Sequence, residues 1–104
     1  MKINMDSVMT AFDGQPLMDK DAKGNPFKLT VKVVILEGLL RVHISDERLS
    51  GMEKMKRFDL AKRVFDAKDM VEITPEEVVM LKDVIGLKLP VLIVGQMYKI
   101  LDGK

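Results

Sequence analysis

The pattern of apolar and polar positions is clearest in the carboxy-terminal third of the chain, where it predicts two consecutive helices. Apolar residues recur at helical spacing after Thr74-Pro75-Glu76-Glu77, a segment with an N-cap threonine, a first-turn proline and the carboxylate of a capping box. We expect Gly86 to end this helix and Pro90 to restart the chain. The last helix is predicted to run over 91–101.

Two more helices are predicted in the middle of the chain. Thr30 can cap a helix over 31–42, although the β-branched run in the first half of this segment also fits a strand. The other helix is predicted over 50–67, and 70–73 is expected to be a short extended connector. Basic residues lie towards one side of the 50–67 helix, and its other side carries Met52, Met55, Phe58, Ala61, Val64 and Phe65.

Residues 1–29 are predicted to form a small β-hairpin or β-arm, because short apolar stretches alternate with the turn signals Asp13-Gly14 and Gly24-Asn25-Pro26. The chain is therefore predicted to be one α+β domain over 1–104, mainly helical with three to four helices, in which 30–104 form the helical body. Two strands alone are marginal in water, so the arm needs the helices or a partner to cover it. We favour a partner, and the candidate protein interface consists of Met5, Val8, Met9, Phe12, Leu17 and Met18.

Composition limits the class of protein. The 104 residues suffice for a single core, and 47% hydrophobic with 32% charged residues is typical of a soluble globular domain. The absence of cysteine excludes disulfides, thiol catalysis and thiolate metal sites. No apolar run approaches the ~20 residues of a membrane span, and no signal peptide is recognisable. We expect a soluble intracellular protein without membrane partners.

The charge balance argues against a dedicated nucleic-acid-binding protein. Seventeen basic and sixteen acidic residues give a net charge of +1, without the basic excess that such proteins usually carry. The densest basic cluster lies in the predicted 50–67 helix, but Glu53, Asp59 and Asp66 are interspersed with it. A solvated amphipathic face is therefore favoured over a nucleic-acid patch.

Two segments suggest metal or catalytic chemistry and then fail its requirements. Asp19–Asn25 begins like a calcium loop, but the fifth position is Lys23 and the twelfth is Thr30 where a bidentate glutamate is needed. His43 is the single histidine, so it lacks the companions of a zinc site or a triad. We predict a solvated turn and a loop or helix-end histidine, with no cofactor, metal or catalytic residue.

Three further residue types receive structural interpretations. Glu76-Glu77 stands in the first turn of a helix, where capping is favoured over acid–base catalysis. Gly38 and Gly95 lie inside helical patterns and are expected to let another element approach closely. The nine methionines are expected to fill the core, except Met5, Met9 and Met18 in the arm.

Several segments together resemble a group of small proteins from tailed bacteriophages and prophages, most of which have no assigned function. The resemblance spans most of the chain and implies no catalytic residues. It is carried by Phe12-Asp13-Gly14-Gln15-Pro16-Leu17, Phe27-Lys28-Leu29-Thr30, Glu37-Gly38-Leu39-Leu40, Arg57-Phe58-Asp59-Leu60-Ala61, Ile73-Thr74-Pro75-Glu76-Glu77 and Pro90-Val91-Leu92-Ile93-Val94-Gly95-Gln96.

The predicted function is that of a non-enzymatic phage or prophage accessory or assembly protein, which acts through protein–protein binding. Its partner is expected to be a phage or host protein, with a homo-oligomer as a further form. The location implied by the resemblance is the cytoplasm of the bacterial host, with association with the virion as the alternative. One alternative function is a phage-encoded inhibitor of a host defence system, similar to anti-CRISPR proteins. A small nucleic-acid-binding regulator ranks third, because no strong nucleic-acid binding is expected.

Overall fold

The fold is α+β and mainly helical, as predicted. The computed structural model describes residues 1–103, and within them four α-helices accompany two small antiparallel sheets. In chain order the elements are β1 Lys2–Asn4, β2 Met18–Lys20, β3 Pro26–Lys28, α1 Val31–Leu40, a 3-10 turn Ile44–Arg48, α2 Gly51–Asp66, β4 Met70–Glu72, α3 Pro75–Lys88 and α4 Val91–Leu101.

The two sheets join parts of the chain at very different separations. β2 and β3 form the predicted hairpin, in which Asp19 pairs with Phe27. β1 instead pairs with β4, so that Ile3 lies opposite Val71. The predicted extended connector before α3 is therefore confirmed, and it serves as an edge for the first strand of the chain.

Helix α1 lies at the centre of the domain and packs against both α2 and α3. Thr30 caps it as predicted, since its hydroxyl accepts a hydrogen bond from the Val33 N–H at 3.3 Å. Gly38 faces α3 so closely that a Cβ atom there would lie 3.0 Å from Cγ1 of Ile85. The predicted close approach at Gly38 is confirmed. The same prediction for Gly95 is wrong, because a Cβ atom there would meet nothing within 4 Å.

The capping box at the start of α3 is present in full. The Thr74 hydroxyl accepts a hydrogen bond from the Glu77 N–H at 3.2 Å, and the Glu77 carboxylate accepts one from the Thr74 N–H at 3.0 Å. Two of the helix's otherwise unpaired N–H groups are thereby satisfied, and α3 begins where the sequence predicted.

The prediction that Gly86 ends α3 is wrong, because the helix continues to Lys88. Gly86 faces α4, and a Cβ atom there would overlap the hydroxyl of Tyr98. That hydroxyl donates a hydrogen bond to the Lys82 carbonyl at 2.7 Å. The missing side chain therefore makes room for a contact between helices rather than terminating one.

Candidate protein interface

The predicted interface in the amino-terminal arm is partly overturned by the packing of the arm on its own helices. Met5 and Met9 are 0% and 1% exposed, so the expectation that they face a partner is wrong. The Met5 carbonyl accepts a hydrogen bond from the Lys32 N–H at 3.1 Å, which draws this segment over the start of α1. Val8 is half-buried, and Leu17 packs half-buried against the core.

Phe12 and Met18 are the two predicted interface residues that remain accessible, at 100% and 52% exposure. Phe12 stands in a turn closed by the Ala11 N–H, which donates to the Gln15 carbonyl at 2.8 Å. Behind this turn the Gln96 amide of α4 donates to the Thr10 carbonyl at 2.8 Å, and its oxygen accepts from the Thr10 N–H at 2.9 Å. The arm is therefore part of the domain with an exposed tip.

Helix α2 turns much of its predicted apolar side outwards. Its buried residues are Leu60, Ala61 and Val64. Met52, Met55, Phe58 and Phe65 are instead 73%, 53%, 55% and 64% exposed. The expectation that Met52 and Met55 fill the core is therefore wrong, because α2 carries two apolar stripes and the domain covers the other one.

Helix α1 extends this exposed apolar area beside α2. Leu40 is 57% exposed and lines a shallow cavity together with Phe58. On its other side Leu40 lines an open groove of about 580 Å³ with Leu36, Val33 and Phe27. We call the area formed by Leu36, Leu40, Met55, Phe58 and Phe65 the α1–α2 surface.

Charged side chains border the α1–α2 surface. The Lys32 ammonium lies 5.9 Å from the centre of the Phe65 ring and donates a hydrogen bond to the Ala67 carbonyl at 2.8 Å. On α2, Lys62 pairs with Asp66 at 3.1 Å. An apolar centre with a charged border is the usual layout of a protein interface.

Met55, Phe58 and Phe65 are not among the interface residues predicted from the sequence. A readable signal was present, because Met55, Phe58, Lys62 and Phe65 follow separations of three, four and three residues. A different stripe through Leu60, Ala61 and Val64 supplies the buried side. In the prediction both stripes belong to one apolar side of the helix, so the outer stripe does not stand out as a separate surface.

His43 has the structural role that the sequence favoured. It caps the 3-10 turn, and its Nδ1 accepts a hydrogen bond from the Ser45 N–H at 3.1 Å. The Asp46 carboxylate accepts a hydrogen bond from the backbone N–H of His43 at 2.9 Å, not from its imidazole. This geometry lacks the base-orienting contact that defines a catalytic triad.

Asp46 ties the 3-10 turn to α2 and α3. Its carboxylate lies 3.1 Å from the Arg57 guanidinium and 3.5 Å from the Lys88 ammonium, which is almost fully buried. Partial burial opposes ionisation, but the His43 N–H and the two cations outweigh it and hold the pKa of Asp46 below its ordinary value. The cluster is a structural anchor.

Glu77 is likewise occupied by structure, which confirms the capping interpretation. Besides its bond to Thr74, its carboxylate pairs with the Arg63 guanidinium of α2 at 2.6 Å. Desolvation opposes the ionised form, but the Thr74 N–H and Arg63 together lower the pKa of Glu77. The carboxylate is thus held as an anion in a contact between helices, and Glu76 beside it is exposed.

The calcium-like segment is a closed turn. The Asp21 carboxylate accepts hydrogen bonds from the N–H groups of Lys23 and Asn25, both at 2.9 Å. Gly24 supplies the positive φ of 83° that the turn requires. Across residues 1–103, no three His, Cys, Asp or Glu side chains come together in a group that could hold a metal ion.

Comparisons with known proteins do not indicate a function for this chain. No protein-family model, curated protein or solved structure matches this chain at a significant level. Of the helices in the described part of the chain, none combines the length and apolar character needed to cross a bilayer. The α1–α2 surface is the feature on which a functional argument can be built.

Proposed function

We propose that this chain acts by binding a protein partner through the α1–α2 surface, as a non-enzymatic accessory or assembly protein of a tailed phage or prophage. One observation carries the proposal: four large apolar side chains of neighbouring helices, Leu40, Met55, Phe58 and Phe65, are each more than half exposed. The cavity shared by Leu40 and Phe58 joins the two helices into one area.

The exposed apolar area is as large as the largest apolar patch of a typical monomer. At roughly 200 Å² for a fully exposed large side chain, the exposed fractions of these four residues amount to roughly 450 Å². The largest apolar patch on a typical monomer is about 300–600 Å² and often has a function. Leaving this area in water costs free energy that a bound partner would recover.

The side chains are also of the kinds that dominate binding energies. Phe58 and Phe65 are large and rigid, so little conformational freedom is lost when they are covered. Met55 is flexible and polarisable, which suits an adaptable contact. Phe58 belongs to Arg57-Phe58-Asp59-Leu60-Ala61, one of the segments that resemble phage proteins, and this resemblance supports the phage setting.

Photocrosslinking in cells tests the proposal. A benzophenone amino acid replaces Met55 on the α1–α2 surface, and a matched variant carries it instead of Val91, which is 89% exposed at the start of α4. We expect a crosslinked protein from position 55 and none from position 91. Crosslinks from both positions, or from neither, would contradict a specific interface on α1 and α2.

The identity of the crosslinked protein separates the functional settings. A virion protein would support the assembly function. A host defence protein would support the alternative function, an inhibitor of host defence. A third variant, with the benzophenone at Phe12, compares the exposed tip of the arm with the α1–α2 surface. A crosslink from position 12 alone would return the interface to the arm.

A further inference from the structure

The outer side of α2 has the spacing of a helix that pairs with another helix. Met55, Phe58, Lys62 and Phe65 occupy alternating three- and four-residue steps, as do the a and d positions of a heptad. The same helix buries Leu60 and Val64 on its opposite side. Helix α1 packs against α2, and Phe58 and Phe65 remain more than half exposed.

We infer that a second copy of this chain covers the α1–α2 surface, with the two α2 helices side by side and parallel about a two-fold axis. The inference rests on the proposed function, because it names the partner of the same surface. Three observations carry it: the heptad spacing of α2, the distribution of charge on its two flanks, and the exposed apolar area.

Met55, Phe58, Lys62 and Phe65 form a row along α2 that we call the seam. The flank of the seam next to α1 is basic. Lys54 shares a cavity with Leu40 and Phe58, which places it on the α1 side of α2. At the other end of the same flank, Lys32 of α1 lies over the Phe65 ring. Both ammonium groups therefore border the apolar seam along the side where α1 packs.

The opposite flank of the seam is acidic. Asp59 and Asp66 each follow a seam phenylalanine by one residue, which turns them about 100° around the helix. Because of this rotation, both carboxylates lie on the side of the seam that faces away from α1. The surface is thus bordered by Lys32 and Lys54 on one flank and by Asp59 and Asp66 on the other, where Asp66 already pairs with Lys62 of the same helix at 3.1 Å.

This distribution of charge selects a parallel pair. A two-fold axis along the helices brings the α1 flank of one copy against the opposite flank of the other. Lys54 then lies beside the partner's Asp59, and Lys32 is at the height of the partner's Asp66. An antiparallel pair would instead bring each acidic flank against its own counterpart, which is repulsive.

The apolar area matches what a stable dimer needs. A standard interface buries about 800 Å² on each partner, of which homodimers make about 65% apolar, or roughly 520 Å². At roughly 200 Å² for a fully exposed large side chain, Leu40, Met55, Phe58 and Phe65 of the α1–α2 surface expose roughly 450 Å². Met52, which lies about one turn before Met55 on α2 and outside that surface, adds roughly 150 Å². Lys62 is a polar residue within this seam, a device that fixes register at some cost in stability.

Sedimentation equilibrium of the full chain between about 1 and 100 μM tests the inference. We expect a monomer–dimer equilibrium that Phe58→Asp shifts to monomer while circular dichroism retains the helical signal. Phe12→Ser is the matched control, because it removes a fully exposed phenylalanine from the arm, and it should leave the equilibrium unchanged. A wild-type chain that stays monomeric, or a dimer that Phe58→Asp leaves intact, would overturn the inference.

Charge reversal tests the parallel arrangement. Lys54→Glu and Asp59→Lys should each weaken dimerisation, by roughly tenfold, since each change sets like charges together twice across the two-fold axis. The double variant should return to within about twofold of wild type, since both contacts regain opposite charges. Lys23→Glu changes the net charge by as much as Lys54→Glu does, but in the exposed β2–β3 turn, and it should have no effect on dimerisation.

The outcomes distinguish this inference from the proposed function. If both single reversals weaken the dimer and the double variant stays weak, the parallel arrangement is wrong. If the chain is monomeric while position 55 crosslinks to a different protein, the proposed function stands and the second copy is refuted. If neither a dimer nor a crosslink from position 55 is found, both fail.

Discussion

Gly86 offers a sharp test of the packing between α3 and α4, because two effects of known size oppose one another there. Glycine inside a helix costs about 1 kcal/mol relative to alanine, so Gly86→Ala should stabilise the protein if space were free. The added Cβ atom would, however, overlap the Tyr98 hydroxyl, which donates its hydrogen bond to the Lys82 carbonyl at 2.7 Å. The Tyr98 hydroxyl would therefore have to move, which would disturb its hydrogen bond to the Lys82 carbonyl.

The magnitudes favour net destabilisation. Displacing the hydroxyl removes a hydrogen bond that contributes about 1 kcal/mol, and moving the ring disturbs packing that contributes about as much again. The loss therefore exceeds the gain in helix propensity, and Gly86→Ala should lower the free energy of unfolding by up to about 1 kcal/mol. Urea denaturation monitored by circular dichroism measures the change.

A second background makes the explanation refutable. Tyr98→Phe removes the overlapping oxygen, and the nearest remaining ring atom would lie 3.5 Å from the new Cβ, an ordinary contact. In that background Gly86→Ala should raise the free energy of unfolding by about 1 kcal/mol. Equal effects of Gly86→Ala in the two backgrounds would refute the argument that the hydroxyl decides the residue at position 86.

Four other predictions concern stability and binding. Thr74→Ala should lower the free energy of unfolding by about 1 kcal/mol through loss of the cap, and an unchanged urea midpoint would contradict this. The lowered pKa values of Asp46 and Glu77 contribute stability that is present above the ordinary values of 3.8 and 4.5 and is lost as the pH falls below these values and through the lower pKa values of the folded state. Asp46→Asn should therefore flatten the pH dependence of the free energy of unfolding in this acidic range. Calorimetric titration with calcium or zinc should show no stoichiometric binding, because Lys23 and Thr30 replace the ligands that a calcium loop requires. Gel shifts should show DNA binding no tighter than about 0.1 mM at physiological salt, and submicromolar binding would favour the nucleic-acid-binding function instead.

Local signals in the sequence predicted local structure well. Thr30 and Thr74 cap helices because each hydroxyl accepts a hydrogen bond from the N–H group three residues ahead, and such contacts need nothing from the rest of the fold. Gly86 shows the limit of this reasoning. Glycine is expected both at the end of a helix and where two helices approach closely, so the residue type does not distinguish the two roles. At position 86 the role is decided by Tyr98 on α4.

The methionines show why the interface could not be located from the sequence. Met5 and Met9 are buried and Met52 and Met55 are exposed, the reverse of the expectation. Helical spacing shows that a residue belongs to an apolar stripe, but a helix with two stripes does not reveal which one its neighbours cover. Which stripe is covered depends on where α1 lies, which is a property of the tertiary fold.

The pairing of β1 with β4 has a consequence for the order in which the protein can fold during its synthesis. β1 is made first, yet its partner strand follows α2, so Lys2 meets Glu72 only after most of the chain has been produced. Until then Ile3 lacks the strand against which it is held, although it is almost completely buried in the finished domain. Contacts between such distant segments are slow to form, and uncovered apolar segments attract other chains in the meantime. The amino-terminal segment of the ribosome-bound chain is therefore prone to aggregation until β4 has been synthesised and can pair with β1.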